Sequence, residues 1–242
     1  QMLQSRRRSP STRSCISEGG VVRSAAEQEM RDAVVARLRK LRPQARICHE
    51  VNCGVWGPNR MDVVAVDVAE IIAVEIKSER DRVSRGPKQL ASMRRVAHHS
   101  IISLHETHLV EKETNEWAAH YSKLDRKYYL WSVPTELDGD GIIPWVYPEL
   151  DRGHNWSGDV GLWRSPETRM EFALPSSALH LLWRDELAAL CDALRVSRGK
   201  RSNMSEMIRA LWWHANGREL TRGICAALRR RQFAEADAAM AA

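Results

Sequence analysis

Three charged residues lie within a stretch of the chain that is otherwise strongly apolar. Residues 60–79, RMDVVAVDVAEIIAVEIKSE, contain two runs of Val, Ile and Ala that predict adjacent buried strands, roughly 61–67 and 71–77. Asp62, Glu75 and Lys77 lie inside these runs. Burying an unpaired charge costs several kcal/mol or more, so charges at these positions indicate a function.

The spacing of the three charges predicts that they meet. Side chains alternate along a strand, so Glu75 and Lys77 project from one face, and Ile76 and its apolar neighbours fill the other. A tight hairpin would pair the start of the first strand, near Asp62, with the end of the second. We therefore expect the three charges at one end of one sheet face.

Carboxylates gathered at a sheet edge suit Mg²⁺ or Mn²⁺, which prefer oxygen ligands. Asp62 and Glu75 are the expected metal ligands, and the backbone carbonyl of Ile76 would be a natural additional one. A bound divalent ion lowers the pKa of its water and neutralises charge on a phosphodiester. Lys77 would position that water or help to deprotonate it. The alternative is a structural ion-pair cluster without chemistry.

The preceding segment predicts a helix that contributes a further carboxylate. Ser24 is the expected N-cap, Glu27 stands at capping-box spacing, and Pro43 ends the helix. At 100° per residue, Glu27 falls in the middle of the apolar stripe and Glu29 points almost the opposite way. The members of that stripe are Met30, Val34, Leu38 and Leu41.

The following elements complete an α/β pattern. ARICHEV (45–51) predicts a strand before the hairpin, a helix entered at Pro87 carries Gln89, and SIISL (100–104) predicts another buried strand. The order is helix, three strands, helix, strand, a mixed sheet flanked by helices. Residues 105–172 hold the strand-like pieces KYYLWSV, IIPWVY and VGLWR and predict an aromatic-rich extension of the same sheet. The Trp residues there could stack bases, but core packing is favoured.

The pattern D-x(12)-E-x-K, formed by Asp62, Glu75 and Lys77, resembles the PD-(D/E)xK nuclease superfamily, the restriction-endonuclease-like fold. The order of elements is similar to that family's core, although Met61 replaces the Pro of the motif. The longer string EIKSERD resembles a poorly characterised bacterial and phage branch with an E-I-K-S-x-x-D signature.

That resemblance implies a Mg²⁺- or Mn²⁺-dependent deoxyribonuclease, an endonuclease or exonuclease, that acts on DNA. It makes Asp62, Glu75 and Lys77 the catalytic group, with Glu27 from the first helix and Gln89 from the second assisting. The alternative is a catalytically silent DNA-binding or assembly protein that keeps the nuclease fold. After the motif, Asp81 and Arg85 are expected to cap the loop rather than touch substrate.

The organisation predicted around this core has three parts. Residues 1–23 are expected to be a disordered basic arm, 24–172 the nuclease-like domain and 173–242 a helical subdomain whose tail, 234–242, frays. A helix, basic turn and helix within 185–211 resemble a SAP-type DNA-binding motif. The turn residues Arg198, Lys200 and Arg201 would then contact phosphates; the alternative is a helical cap whose charged turn is merely solvated.

Composition favours a folded protein with a polyanionic partner. Hydrophobic residues make up 43 % of the 242 residues and the net charge is +6. The five Cys residues show no C-x-x-C pair, and His105 and His108 lack an evident third zinc ligand. No run of apolar residues reaches membrane-spanning length. We expect a soluble cytoplasmic protein with no membrane partner, and leave a homodimer open.

Overall fold

The computed structural model describes residues 23–54, 59–115, 119–153, 155–158, 160–168, 170, 172–199 and 201–240. The predicted arm falls outside this range except for Arg23, and Lys200 also lies outside it. The helices are α1 (Ala25–Leu41), α2 (Gly86–Met93), α3 (Arg184–Ala193), α4 (Met204–His214) and α5 (Gly217–Arg230). The strands are β1 (Arg46–Asn52), β2 (Arg60–Val66), β3 (Ile71–Lys77), β4 (His99–His105), β5 (Val110–Thr114), β6 (His120–Ser122), β7 (Lys127–Ser132) and β8 (Ile142–Tyr147).

Helix α1 begins where the sequence places its cap. The Ser24 side chain accepts a hydrogen bond from the Glu27 backbone N–H at 3.1 Å, which satisfies one of the donors left free at a helix start. Met30, Val34 and Leu38 are fully buried, which confirms the apolar stripe. The Glu27 carboxylate does not complete a capping box, because it pairs with Arg31 one turn further on.

The central sheet has five strands in the order β1-β2-β3-β4-β8. The first three are antiparallel neighbours, while β3, β4 and β8 run parallel, so the sheet is mixed, as predicted. Helix α2 leads from β3 to the parallel strand β4, the crossover that such a connection requires. The α/β class and the mixed sheet flanked by helices are thus confirmed.

Alternation along the strands divides the core into two layers. On one face, Val63, Ile72 and Val74 pack with the buried stripe of α1. On the other face, Val64 and Ala73 belong to a larger cluster that also contains the buried residues of α2 and of the C-terminal helices. The apolar core is therefore continuous between the segments 24–172 and 173–240.

The aromatic-rich region is only partly an extension of the same sheet. Strand β8 joins the sheet beside β4, but β5, β6 and β7 form a separate three-stranded sheet. The prediction of one sheet was wrong for those strands, because the 3-10 turn Glu106–His108 redirects the chain before β5. The piece VGLWR (160–164) is irregular, and Trp163 is nevertheless buried because its indole stacks on Trp145 at 4.8 Å and donates to the Val146 carbonyl.

The C-terminal segment packs along the edge strand β1 instead of fraying. His49 N–H donates to the Glu235 carbonyl and Asp237 N–H to the Ile47 carbonyl, at 3.0 and 2.9 Å. The buried guanidinium of Arg46 donates to four backbone carbonyls of the C-terminal part of the chain, those of Leu228, Arg229, Arg231 and Asp237. The predicted fraying was therefore wrong for residues 234–240. No helix within the described residues is long and apolar enough to cross a membrane.

Candidate active site

The hairpin of β2 and β3 brings the two predicted carboxylates together. Val63 is registered with Val74, so Asp62 and Glu75, the next residues outward on each strand, are neighbours on one face. The Asp62 Oδ2 atom accepts a hydrogen bond of 2.7 Å from the Ile76 backbone N–H. That bond fixes the Asp62 side chain across the end of β3, as the hairpin geometry predicted.

Lys77 connects the strand to helix α2. Its Nζ atom donates to Glu75 Oε1 at 2.7 Å and to Gln89 Oε1 at 2.8 Å. An ammonium group has three donors, so one N–H remains for a further acceptor. The structure therefore brings Glu75 and Lys77 together with Gln89, which the family resemblance had named as an assisting residue, in one hydrogen-bonded group.

Both carboxyl groups are held in surroundings that disfavour their charge. Burial raises the pKa of Glu75 to about 8, and the neighbouring Asp62 charge adds to this, while Lys77 partly offsets it. Burial likewise raises the pKa of Asp62 to about 6 against the opposing effect of the Ile76 N–H and Arg31. Glu75 Oε2 is buried and has no hydrogen-bond partner among the described residues. The surrounding described residues therefore compensate the charge of an ionised Glu75 carboxylate only in part.

The predicted third carboxylate, Glu27, lines the same cavity but has a different neighbour. Its Oε1 atom accepts from Arg31 Nη2 at 3.0 Å. The buried Arg31 also donates to the Asp62 backbone carbonyl at 2.5 Å, and its Nη2 lies 3.8 Å from Asp62 Oδ1. Arg31 therefore stands between Glu27 and Asp62. Glu29, on the opposite side of the helix, accepts from the Tyr147 hydroxyl.

Arg31 and Glu50 are site residues that the sequence analysis missed. Glu50 lies between the pairs His49↔Val63 and Val51↔Met61, opposite Asp62, with a left-handed φ of 55°. Glu50 interrupts the pairing of β1 with β2 at this point. The Asp62 backbone carbonyl instead accepts a hydrogen bond from Arg31. Glu50 also pairs with Arg31 at 3.3 Å. The i, i+4 spacing of Glu27 and Arg31 in the sequence indicated the ion pair between them. Nothing in the sequence indicated the left-handed backbone of Glu50.

The cavity over the carboxylates has a volume of about 390 Å³. Its walls include all five predicted side chains, Glu27, Asp62, Glu75, Lys77 and Gln89, together with Ile76. Asp81, which follows the motif, accepts from the Ser78 backbone N–H and hydroxyl at 2.8 and 2.6 Å and so closes the loop after β3.

The oxygen atoms at this cavity fit a hard divalent cation. Asp62 and Glu75 supply carboxylates, and Glu75 Oε2 is a buried acceptor that no described group satisfies. N–H and C=O of a strand residue point to the same side, so the Ile76 carbonyl faces Asp62 as its N–H does. No group of three His, Cys, Asp or Glu side chains suited to a metal occurs in the described part of the chain. The fit therefore depends on two carboxylates, a carbonyl and water.

Arg198 of the predicted basic turn has a partner of its own, as do His105 and His108. Arg198 makes a two-point ion pair with Asp192, at 3.1 and 2.8 Å, and this pairing lowers the pKa of that carboxyl. Arg201 is exposed in the same turn between α3 and α4. His105 caps the turn before β5, and His108 Nε2 lies 2.6 Å from the Ser78 carbonyl oxygen. The phosphate contacts predicted for Arg198, Lys200 and Arg201 stay a prediction.

One comparison with known proteins gave a match. Residues 21–114 are similar to the family described as Bacteriophage P4 protein cII. This segment is less than half of the chain, and it runs from the start of α1 to the end of β5. It contains every residue of the candidate active site. No curated protein and no solved structure matches the chain.

Proposed function

We propose that the chain is a Mg²⁺- or Mn²⁺-dependent nuclease that hydrolyses phosphodiester bonds in DNA, built on a restriction-endonuclease-like core. The observation that carries the proposal is the buried Glu75 carboxylate, one oxygen of which is unpartnered while the other accepts from Lys77. A structural ion pair does not require a second carboxylate, Asp62, beside it at the wall of a cavity. Support also comes from the order of elements, in which a helix precedes an antiparallel hairpin and a parallel crossover.

Each side chain has a role that follows from its contacts. A divalent cation held by Asp62, Glu75 and the Ile76 carbonyl would supply an activated water and neutralise phosphate charge. The Ile76 N–H keeps Asp62 turned toward the cavity. Lys77 uses two of its protons on Glu75 and Gln89, and its third can donate to the attacking water or to a phosphoryl oxygen.

The reaction is a hydrolysis. Water oxygen forms a bond to phosphorus and gives up a proton to solvent, the ester P–O bond breaks, and the leaving oxygen takes up a proton from solvent. Charge accumulates on the phosphoryl oxygens in the transition state, where a donor fixed in advance stabilises it most. Gln89 fixes Lys77 from helix α2, so Gln89 is a positioning residue.

The test is cleavage of plasmid, linear and single-stranded DNA with Mn²⁺, using wild type, Asp62→Asn, Lys77→Met and Asp32→Asn. Asp32 is an exposed carboxylate on α1 that lies outside the cavity, so its variant loses the same charge without touching the site. We expect wild type and Asp32→Asn to cut, and the two site variants to be slower by about 10²-fold or more.

Two results would contradict the proposal in different ways. Equal cutting by wild type, Asp62→Asn and Lys77→Met would show that the site is wrongly assigned. DNA binding without cleavage, together with no heat of Mn²⁺ binding at millimolar metal, would favour a DNA-binding or assembly protein that keeps the fold without turnover.

A further inference from the structure

A second cavity continues the one that holds the carboxylates. It has a volume of about 510 Å³ and shares Asp62, Arg85 and Gln89 with the first. The first cavity extends past Glu75 to Arg80 and Arg82, and the second extends to Arg60 and Lys88. We call the two together the trough. Asp62 lines both cavities, so they adjoin at the candidate metal site.

Charge is segregated between the floor and the rim of the trough. Most carboxylates of the trough have partners: one oxygen of Glu75 accepts from Lys77, Glu27 accepts from Arg31, and the exposed Asp81 accepts from Ser78. Glu50, on the floor of the second cavity, pairs with Arg31 and Arg60. Among the described residues that line the trough, the buried carboxylate oxygen without a hydrogen-bond partner is Glu75 Oε2, at the candidate metal site.

The rim is cationic on both arms of the trough. The first arm is the part of the first cavity beyond Glu75, and the second arm is the second cavity. On the first arm, Arg80 is 82 % exposed, with Glu79 at 3.4 Å, and Arg82 is also exposed. On the second arm, Arg60 is 54 % exposed and Lys88 is exposed. Arg82 and Lys88, like the shared Arg85, have no ion-pair partner within the described residues, and their charges are available to a polyanion.

We infer that a nucleic-acid strand runs through the trough with cationic contacts on both sides of the carboxylates, so that the bond cut is internal and the enzyme is an endonuclease. The inference rests on the proposed function. A site that takes a strand end needs cations on one side of the reacting phosphate, since nothing extends beyond it on the other. Here Arg80 and Arg82 line the first cavity and not the second, and Arg60 and Lys88 line the second and not the first.

The first experiment offers wild-type protein, with Mn²⁺, closed-circular duplex DNA, circular single-stranded DNA and the linear form of each. The expected result is cutting of a closed circle as readily as of its linear form, and the two circles distinguish duplex from single-stranded substrate. Degradation of linear DNA alone would overturn the inference and leave the nuclease proposal standing. No cutting of any substrate would overturn both.

The second experiment tests each arm by binding, in an Asp62→Asn background that slows cleavage and with no metal added. Arg80→Ala/Arg82→Ala and Arg60→Ala/Lys88→Ala each remove two charges from one arm. The matched control, Lys40→Ala/Arg94→Ala, removes two exposed charges outside the trough. Thermal melting of each variant establishes that it is folded.

The readout is the dependence of affinity on salt. Each arm variant should have a log–log slope shallower by about 1.8 on duplex DNA, or about 1.4 on a single strand, for two lost phosphate contacts. The control should keep the wild-type slope. An unchanged slope for either arm would show that the strand does not extend along that arm, and would overturn the inference.

Discussion

Manganese binding to the wild-type protein should strengthen steeply between pH 6 and pH 8. Burial raises the pKa of Asp62 to about 6 and that of Glu75 to about 8, above the ordinary values of 3.8 and 4.5. Metal binds the ionised carboxylates, so protons compete with it.

In the metal-free protein the same two pKa shifts contribute to the free energy of unfolding. That contribution is fully present below about pH 4 and is lost as the pH rises through 6 and 8.

The expected magnitude follows from the two pKa values. With values of about 6 for Asp62 and about 8 for Glu75, both groups are ionised in about half of the molecules at pH 8 and in about one in 200 at pH 6. The apparent dissociation constant for Mn²⁺ should therefore be about 100-fold weaker at pH 6 than at pH 8.

The assay is isothermal titration calorimetry of Mn²⁺ into metal-free protein at pH 6, 7 and 8, in buffers of different ionisation enthalpy. The dependence on buffer counts the protons released on binding. The control is Glu75→Gln, which should bind weakly and vary little with pH above 7, because only Asp62 then titrates. A wild-type dissociation constant that stays constant over this range would refute the reasoning, since it would mean that buried, proton-bearing carboxyls are not the ligands.

Three further predictions concern the neighbours of the carboxylates and the edge of the sheet. Lys77→Met should retain Mn²⁺ binding but slow cleavage by about 10²-fold or more, measured under single-turnover conditions; a parallel loss of metal binding would contradict the assigned role. Gln89→Ala should slow cleavage less than Lys77→Met, with dissociation constants for DNA unchanged; equal losses would show that Gln89 acts on substrate directly. Arg46→Met should lower the free energy of unfolding in urea by about 3 kcal/mol or more, because buried carbonyls lose their donor. The exposed control Arg39→Ala should change it by less than about 1 kcal/mol, and equal effects would refute the role given to Arg46.

The site could be predicted because its geometry is local. The alternation of β3 and the register of a tight hairpin place Asp62 beside Glu75 within a segment of about 20 residues. Helix α1 was equally accessible, since the Ser24 cap and a stripe at helical spacing are read from the sequence alone. Gln89 was named from the family resemblance, and no pattern in the sequence by itself placed it beside Lys77.

Contacts between distant parts of the chain could not be predicted. Arg46 appears in the sequence as one charge in an apolar strand, and its acceptors lie more than 180 residues away. The C-terminal segment is Ala-rich and has no strand signal, yet its Glu235 carbonyl and Asp237 N–H pair with β1. Glu50 shows the same limit within the site. Residues other than Gly rarely adopt a left-handed φ, so nothing in the sequence indicated that Glu50 has one.

In the region between β4 and α3, the sequence pattern predicted strands but not the sheet to which each strand belongs. Its aromatic runs predicted strands, and two of the three pieces are strands, β7 and β8. Their assignment to one sheet depended on the turn at Glu106–His108, which alternation does not encode. Trp163 was expected in a strand but is buried in irregular chain, because a large ring can pack on Trp145 without ladder hydrogen bonds.

The most direct test of the central claim is the position of Mn²⁺ in a crystal of the protein soaked with that ion. We expect an anomalous difference peak between Asp62 and Glu75, roughly 2 Å from an oxygen of each, with Lys77 still in contact with Gln89. Glu75 Oε2, which lacks a partner among the described residues, should be one of the ligands. No peak at these carboxylates at millimolar Mn²⁺ and pH 8, in a crystal whose cavity is open to solvent, would contradict it.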